Sequence, residues 1–135
     1  MKDFDYTIIE YLKKISIKSS VTHRHAAGLL LNHKLISSGI NRFIFINECS
    51  FNRTLHAEIA ALSCISKKNA KGLDLVVIRN KNNILQNSRP CSACIDKLQK
   101  AGIRKVYFSD ENGEIVHEVV ENMEKTHISS NSRNS

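Results

Sequence analysis

The chain has 135 residues, of which 41% are apolar, and this length fits one domain with a single hydrophobic core. Multidomain and solenoid architectures are excluded, and no apolar run approaches the roughly 18 residues of a membrane span, so we expect no membrane partner. Acids stand among the first residues, where a secretory signal has an apolar block, and this predicts a cytoplasmic location, with a nuclear one as the alternative. Four cysteines in that compartment point to metal binding or catalysis rather than to disulfides.

The charge is unevenly distributed along the chain. Residues 1–109 hold 18 Lys and Arg against 7 Asp and Glu, a net charge of +11, whereas residues 110–135 hold 2 bases against 6 acids, a net charge of −4. A basic body favours an anionic ligand such as a nucleotide or a nucleic acid. Because the lysines are scattered, a solvated basic surface is an equally good interpretation.

The first half of the chain predicts one helix and one hairpin. Apolar residues recur at helical spacing over 4–15, with Asp3 or Asp5 available as the N-cap, and this pattern predicts an amphipathic helix. Two apolar runs, 26–31 and 35–38, flank a polar turn and predict a β-hairpin. Residues 39–54 receive no assignment, although 43–46 fit either a strand or the wall of a loop.

The second half alternates helices and strands. We predict helices over 56–68 and 91–101, the second opened by Pro90 and closed by Gly102, and strands over 73–79, 104–109 and 114–120. The polar loop 80–89 contains Ile84 and Leu85, which fit one more short strand. Strands separated by helices imply parallel pairing, and the turn 110–113 makes the last pair antiparallel. Residues 1–125 are expected to form one domain, and residues 126–135 a polar, mobile tail.

Two short motifs carry the chemistry. One is His56-Ala57-Glu58 and the other is Pro90-Cys91-Ser92-Ala93-Cys94, each at the start of a predicted helix. The positive end of the helix dipole favours both thiolates, and with His56 they provide three ligands that suit zinc with a fourth position open to water. Residues two apart on a helix diverge by about 200°. Glu58 can therefore join His56 as a proton carrier only if His56 lies in the irregular first turn.

Together the two motifs resemble those of the cytidine deaminase-like superfamily of zinc-dependent deaminases, over roughly residues 22–120. The resemblance implies an α/β fold, a three-layer α/β/α sandwich whose mixed five-stranded sheet has an antiparallel last strand. It also implies that His56, Cys91 and Cys94 bind Zn²⁺ and that Glu58 shuttles protons. The implied activity is the hydrolytic conversion of a cytosine nucleoside or nucleotide to its uracil form, with release of ammonia.

The resemblance extends to the substrate pocket. Asn41, in the segment Ser38-Gly39-Ile40-Asn41, corresponds to an Asn that contacts ribose and base, although an Asn in a turn is the plainer interpretation. Ala57 and Ser88 are expected to line the base pocket. Arg53 and Arg89 flank the motifs and suit a phosphate, with a solvated surface role as the alternative.

The motifs are also compatible with two other functions. The same pocket would serve a nucleic-acid deaminase acting on cytosine or adenine in single-stranded DNA or tRNA, and the superfamily also contains homo-oligomers. A third reading is an inactive zinc module closed by Cys49 or Cys64 as a fourth ligand. Glu58 argues against it, because no structural zinc site requires that carboxylate. We predict instead that Cys49 and Cys64 are buried, inert thiols.

Overall fold

The computed structural model describes residues 5–47 and 50–124. These residues form four α-helices, Tyr6–Ser16 (α1), Ala57–Leu62 (α2), Lys67–Ala70 (α3) and Ser92–Ala101 (α4), with a short 3₁₀ turn at Val120–Asn122. The strands are Arg24–Leu31 (β1), Lys34–Ile40 (β2), Arg42–Asn47 (β3), Ser50–Leu55 (β4), Asp74–Lys81 (β5), Ile84–Gln86 (β6), Lys105–Ser109 (β7) and Ile115–Val119 (β8). No described helix is long and apolar enough to cross a membrane.

Five strands follow one another across the main sheet in the order β2-β1-β5-β7-β8, and the short β6 pairs with the end of β5. The pairing of β5 with β7 is parallel and that of β7 with β8 is antiparallel, as predicted. The pairing of β1 with β5 is antiparallel, which the rule for helix-separated strands did not predict. The reason is that the first hairpin places β1 on the inner side, so β5 pairs with β1 and not with β2.

Helices cover both faces of the sheet, and two apolar clusters fill the space between the layers. On one face α1 contributes Ile8, Ile9 and Leu12 against a cluster that contains Ala26 and Ile78. On the other face α2 and α4 pack on a cluster that contains Ala27 and Val77. Since neighbouring residues of a strand point to opposite faces, this alternation creates the three layers that the resemblance implied.

The ends of the helices follow the capping signals in the sequence. Asp5 is the N-cap of α1 and accepts a hydrogen bond from the Thr7 amide at 2.9 Å. Gly102 ends α4 in the left-handed region, with φ of 79°. The helix predicted over 56–68 is instead two helices, because Ser63 ends α2 and Ser66 caps α3 by accepting from the Asn69 amide.

The segment that the sequence left unassigned forms a separate antiparallel ribbon of β3 and β4. This ribbon leads from β2 directly into α2, so it sets the chain path by which His56 reaches the sheet. The predicted mobile tail at 126–135 lies outside the described residues.

Candidate active site

Two helix N-termini meet at one end of the main sheet. Because α4 connects β5 to the parallel strand β7, it must begin at the end of the sheet where β5 finishes. His56 is the N-cap residue of α2 and Cys91 is the N-cap residue of α4, and both have extended backbones, with φ and ψ of −77° and 150° for His56 and −75° and 169° for Cys91. We call this end, where β5 finishes and β1 starts, the site end of the sheet.

Three side chains converge there with the spacing of metal ligands. The Nδ1 atom of His56 lies 3.1 Å from the Sγ atom of Cys94 and 3.8 Å from the Sγ atom of Cys91, and the three ligand atoms lie within 4.8 Å of one another. Tetrahedral zinc, with bonds of about 2.1 Å to nitrogen and 2.3 Å to sulfur, requires about 3.6 Å between such a nitrogen and sulfur. The donor set and its spacing therefore fit zinc.

Hydrogen bonding shifts the pKa values of all three groups. The pKa of Cys91 falls to about 3, because its sulfur accepts a hydrogen bond from the Cys94 thiol and another from His56. The pKa of Cys94 rises, because this buried thiol is the donor in that pair. The pKa of His56 rises through its hydrogen bond with Cys91 and the nearby charge of Glu58. The lowered pKa of Cys91 favours its thiolate, the form in which cysteine binds a metal.

Glu58 is buried in the first turn of α2, with 4% of its surface exposed. The helical wheel allows Glu58 to join His56 only if His56 lies outside the regular helix. The structure meets this condition, since His56 is the N-cap residue while Glu58 is inside the helix. Burial raises the pKa of the Glu58 carboxyl, and the positive charge of His56 opposes part of that rise. A buried carboxyl with a raised pKa suits repeated uptake and release of a proton.

The side chain of Asn41 is buried at the site end and forms hydrogen bonds with the loop before β1. Its Oδ1 atom accepts hydrogen bonds from the Ser19 hydroxyl at 2.7 Å and from the His25 amide at 3.0 Å, and its Nδ2 atom donates to the His23 carbonyl at 2.7 Å. The residue therefore anchors this loop. Its substrate contact stays a prediction.

Ser88 and Arg89 precede the second motif and are held by other strands. The Ser88 hydroxyl donates to the Val77 carbonyl at 2.9 Å and lies 2.8 Å from the hydroxyl of Ser109. The Arg89 guanidinium forms a bidentate ion pair with Glu118, at 2.9 and 3.1 Å. These contacts fix the loop that delivers Cys91 to the site, and nothing local in the sequence indicated Ser109 or Glu118 as partners. The substrate contacts of both residues stay predictions.

The other two cysteines differ from each other. Cys64 is exposed near the end of α2, which corrects the expectation of a buried thiol, because the helix ends at Leu62 and leaves Cys64 in the turn before α3. Within the described part of the chain, only His56, Cys91 and Cys94 form a group that could hold a metal ion, so Cys64 does not close the site. Cys49 lies outside the described residues.

A comparison of the sequence with models of protein families identifies the family of this chain. Residues 5–110 match the family model described as the cytidine and deoxycytidylate deaminase zinc-binding region. The chain belongs to the cytidine and deoxycytidylate deaminase family. Membership makes it a zinc-dependent hydrolytic deaminase and confirms both the predicted resemblance and the predicted cofactor. A search of curated protein sequences finds no match.

Solved structures place the fold of this deaminase among relatives of low sequence identity. The dCMP deaminase of cyanophage S-TIM5, in complex with dCMP and dUMP, is 22% identical, with a TM-score of 0.58 over 82% of this chain and 81% of that one. A cytidine deaminase from Burkholderia pseudomallei is 17% identical, with a TM-score of 0.66 over 91% of this chain and 98% of that one. RibD from Acinetobacter baumannii is 20% identical, with a TM-score of 0.50 over 81% of this chain and 28% of that one. The predicted fold class is confirmed.

Proposed function

We propose that this deaminase converts a cytosine nucleoside or nucleotide to its uracil form. In this reaction a water oxygen bonds to C4 of the ring, the C4–N bond breaks, and the amino group leaves as ammonia. The observation that carries the proposal is the buried carboxyl of Glu58 beside a complete set of three zinc ligands. A structural zinc site has no use for that carboxyl.

Each residue has a defined task in this proposal. His56, Cys91 and Cys94 would hold the zinc ion, and the ion, when bound, would act as a Lewis acid that lowers the pKa of a water molecule toward neutrality. Glu58 would accept one proton from the water and give it to the ring nitrogen of the substrate, and would then take the second proton from the oxygen on C4 and give it to the departing amino group. The burial of Glu58 excludes bulk water from this exchange and keeps its pKa raised.

The residues around Glu58 are proposed to position the base. Ala57 is the first residue of α2, so its N–H has no acceptor within the helix and is available to a carbonyl of the substrate. Ser88 holds the opposite loop in place, and Asn41 holds the loop before β1. A phosphate contact by Arg89 would require the ion pair with Glu118 to break, so we do not include it in the mechanism.

The test is a turnover screen of the zinc-loaded wild type and a Glu58→Gln variant by mass spectrometry. The substrates are cytidine, deoxycytidine, their monophosphates, adenosine, single-stranded DNA and tRNA. We expect turnover of a cytosine nucleoside or nucleotide by the wild type, and a loss of about 10²- to 10⁴-fold in Glu58→Gln, because the proton carrier is removed while the shape of the side chain is kept.

Two controls complete the screen. Glu111→Gln changes an exposed acid in the turn before β8 and should keep full activity. Zinc content is measured in every variant, so that loss of the proton carrier is separated from loss of the metal. Full turnover by zinc-loaded Glu58→Gln would contradict the proposed role of Glu58, and activity on the polymers alone would contradict the proposed substrate.

A further inference from the structure

The last described residues fold back against the helix that starts beside the two cysteine ligands. After β8 the chain makes the 3₁₀ turn Val120–Asn122 and continues to Glu124, and we call residues 120–124 the C-terminal turn. Val120 and Met123 are buried, with exposed fractions of 0% and 5%, in the apolar cluster on which α2 and α4 pack. The C-terminal turn therefore belongs to the same layer as the candidate active site.

Gln99 joins α4 to the C-terminal turn. Its Nε2 atom donates hydrogen bonds to the Val120 carbonyl at 3.0 Å and to the Met123 carbonyl at 3.4 Å. These carbonyls belong to the first and the fourth residue of the turn, so one amide group spans it. The contact fixes α4, whose N-cap residue is Cys91, relative to the end of β8.

Arg89 joins the loop before α4 to both ends of the C-terminal turn. Its guanidinium forms the bidentate ion pair with Glu118 on β8, at 2.9 and 3.1 Å, and its Nη2 atom also donates to the Glu124 carbonyl at 3.4 Å. Glu118 lies just before the turn, and Glu124 is the last residue of the turn. A bidentate pair fixes the orientation of its partners as well as their distance. The loop, β8 and the turn are thus held together as one unit.

Pro90 transmits this constraint to Cys91. Only Pro90, which is buried, separates Arg89 from Cys91 along the chain. Proline fixes its own φ at about −65° and restricts the residue before it to extended conformations, so few backbone torsions between Arg89 and Cys91 are free to change. A shift of Arg89 would consequently move the Cys91 sulfur relative to the Nδ1 atom of His56, which lies 3.8 Å away. Contacts that orient metal ligands from outside typically contribute about 10- to 100-fold to metal affinity.

We propose that Gln99, Arg89 and Glu118 are positioning residues of the zinc site. Together they lock the C-terminal turn against the motif that contains both cysteine ligands. The described hydrogen bonds of their side chains go to one another and to the turn rather than to the ligand atoms, so their effect reaches the metal through the backbone. The inference goes beyond the proposed function, since it concerns how tightly zinc is held and not which compound is deaminated.

The test is the zinc affinity of the folded protein, measured by competition with a chromogenic chelator, in Glu118→Gln and in Gln99→Met. The first variant removes the charge and the second removes the hydrogen-bond donor, and both nearly keep the size of the side chain. We expect each variant to bind zinc about tenfold or more weakly than the wild type. The double variant Arg89→Gln/Glu118→Gln should lose no more affinity than the weaker of its two single variants, because the two residues act as one pair.

Two further measurements separate positioning from a purely structural role. Chemical unfolding of the metal-free proteins shows the conditions under which every variant is folded, and the affinities are compared there. Cobalt(II) bound in place of zinc absorbs visible light according to the geometry of its ligands. We expect the cobalt spectrum of Glu118→Gln to differ from that of the wild type. Gln99→Met keeps the test decisive if Glu118→Gln does not fold.

Lys100→Gln is the matched control, because it removes a 2.9 Å ion pair with Asp96 whose two partners both lie on α4. It should bind zinc as the wild type does. Wild-type zinc affinity in Glu118→Gln or in Gln99→Met would overturn the inference. So would a loss of stability in the metal-free variants while the folded form keeps its zinc affinity. None of these readouts involves turnover, so a protein that deaminates nothing would refute the proposed function and leave this inference standing.

Discussion

At the scale of single residues, the site depends on backbone conformation at one position. If all three residues of the motif His56-Ala57-Glu58 were helical, the side chains of His56 and Glu58 would point about 200° apart. The extended φ and ψ of His56 place it before the helix, while Glu58 enters the first turn and is buried. The same arrangement recurs at Cys91, which caps α4, and Cys94, which is buried within it. Helix capping is therefore the local event that builds the metal site.

His25 gives the residue-scale prediction. Its pKa is about 4 in the folded chain, because burial disfavours the charged ring, and about 6.5 in the unfolded chain. Between pH 4 and pH 6.5 the unfolded chain therefore binds more protons than the folded chain. The contribution of His25 to the free energy of unfolding is complete above pH 6.5 and is lost as the pH falls toward 4. We expect a loss of about 2 to 3 kcal/mol over this window. Chemical unfolding of the wild type and of His25→Gln at pH 7.5 and 4.5 measures it.

The comparison uses the difference between the two proteins, so that other titrating groups cancel. His25→Gln should show a shallower decline in the free energy of unfolding than the wild type. His117→Gln, at an exposed position on β8, is the control and should decline as the wild type does. Parallel declines in all three proteins would refute the lowered pKa of His25.

At the scale of elements, the contact of β2 with α2 positions the first motif. A Cβ atom at Gly39 would lie 2.6 Å from the Cβ of Ala60 and 2.7 Å from the amide nitrogen of Ala61. The Ser37 hydroxyl donates to the Ala61 carbonyl at 2.7 Å from the same strand. The backbones of strand and helix are thus in direct contact, and only glycine fits between them.

Gly39→Ala is therefore expected to push α2 away from the sheet. We predict a loss of about 1 to 3 kcal/mol in the free energy of unfolding, the usual cost of overpacking, together with reduced zinc affinity because His56 moves with the helix. Thermal unfolding and zinc titration measure the two effects. Ser38→Ala, at the neighbouring position, adds no volume and serves as the control. Wild-type stability and zinc affinity in Gly39→Ala would show that the contact has no role in positioning α2.

At the scale of the whole molecule, zinc would join parts of the chain that are far apart in sequence. His56 lies at the start of α2 and the pair Cys91 and Cys94 at the start of α4, and the two helices pack on the same apolar cluster. Because metal binding to such a site occurs only in the folded chain, its free energy adds to stability. Apolar contacts on both faces of the sheet stabilise the rest of the fold, and they include the fully buried side chains of Leu12, Leu29 and Leu98.

Cys91→Ser should consequently lose zinc and stability together. We expect a lower melting temperature than the wild type in the presence of zinc, and a much smaller difference after both proteins are treated with a chelator. Zinc content by mass spectrometry is the second readout. Cys64→Ser alters an exposed thiol outside the cluster and should match the wild type in both measurements. Unchanged zinc content in Cys91→Ser would refute the ligand assignment.

The sequence by itself indicated the family, three candidate metal ligands and most of the fold. These features follow from local patterns: amphipathic spacing in α1, the cap at Asp5, the glycine that ends α4, and two motifs placed at helix starts. Each of them depends on residues a few positions apart, which is the range over which propensity and capping act.

Tertiary structure alone decided the features that depend on distant partners. The antiparallel pairing of β1 with β5, the ribbon of β3 and β4, and the anchoring of Arg89 by Glu118 join segments far apart in the chain. In the same way, Arg24 and Lys81 line one cleft only because β1 and β5 pair. Pairing register and long-range electrostatics arise from the packed sheet, and no local pattern encodes them.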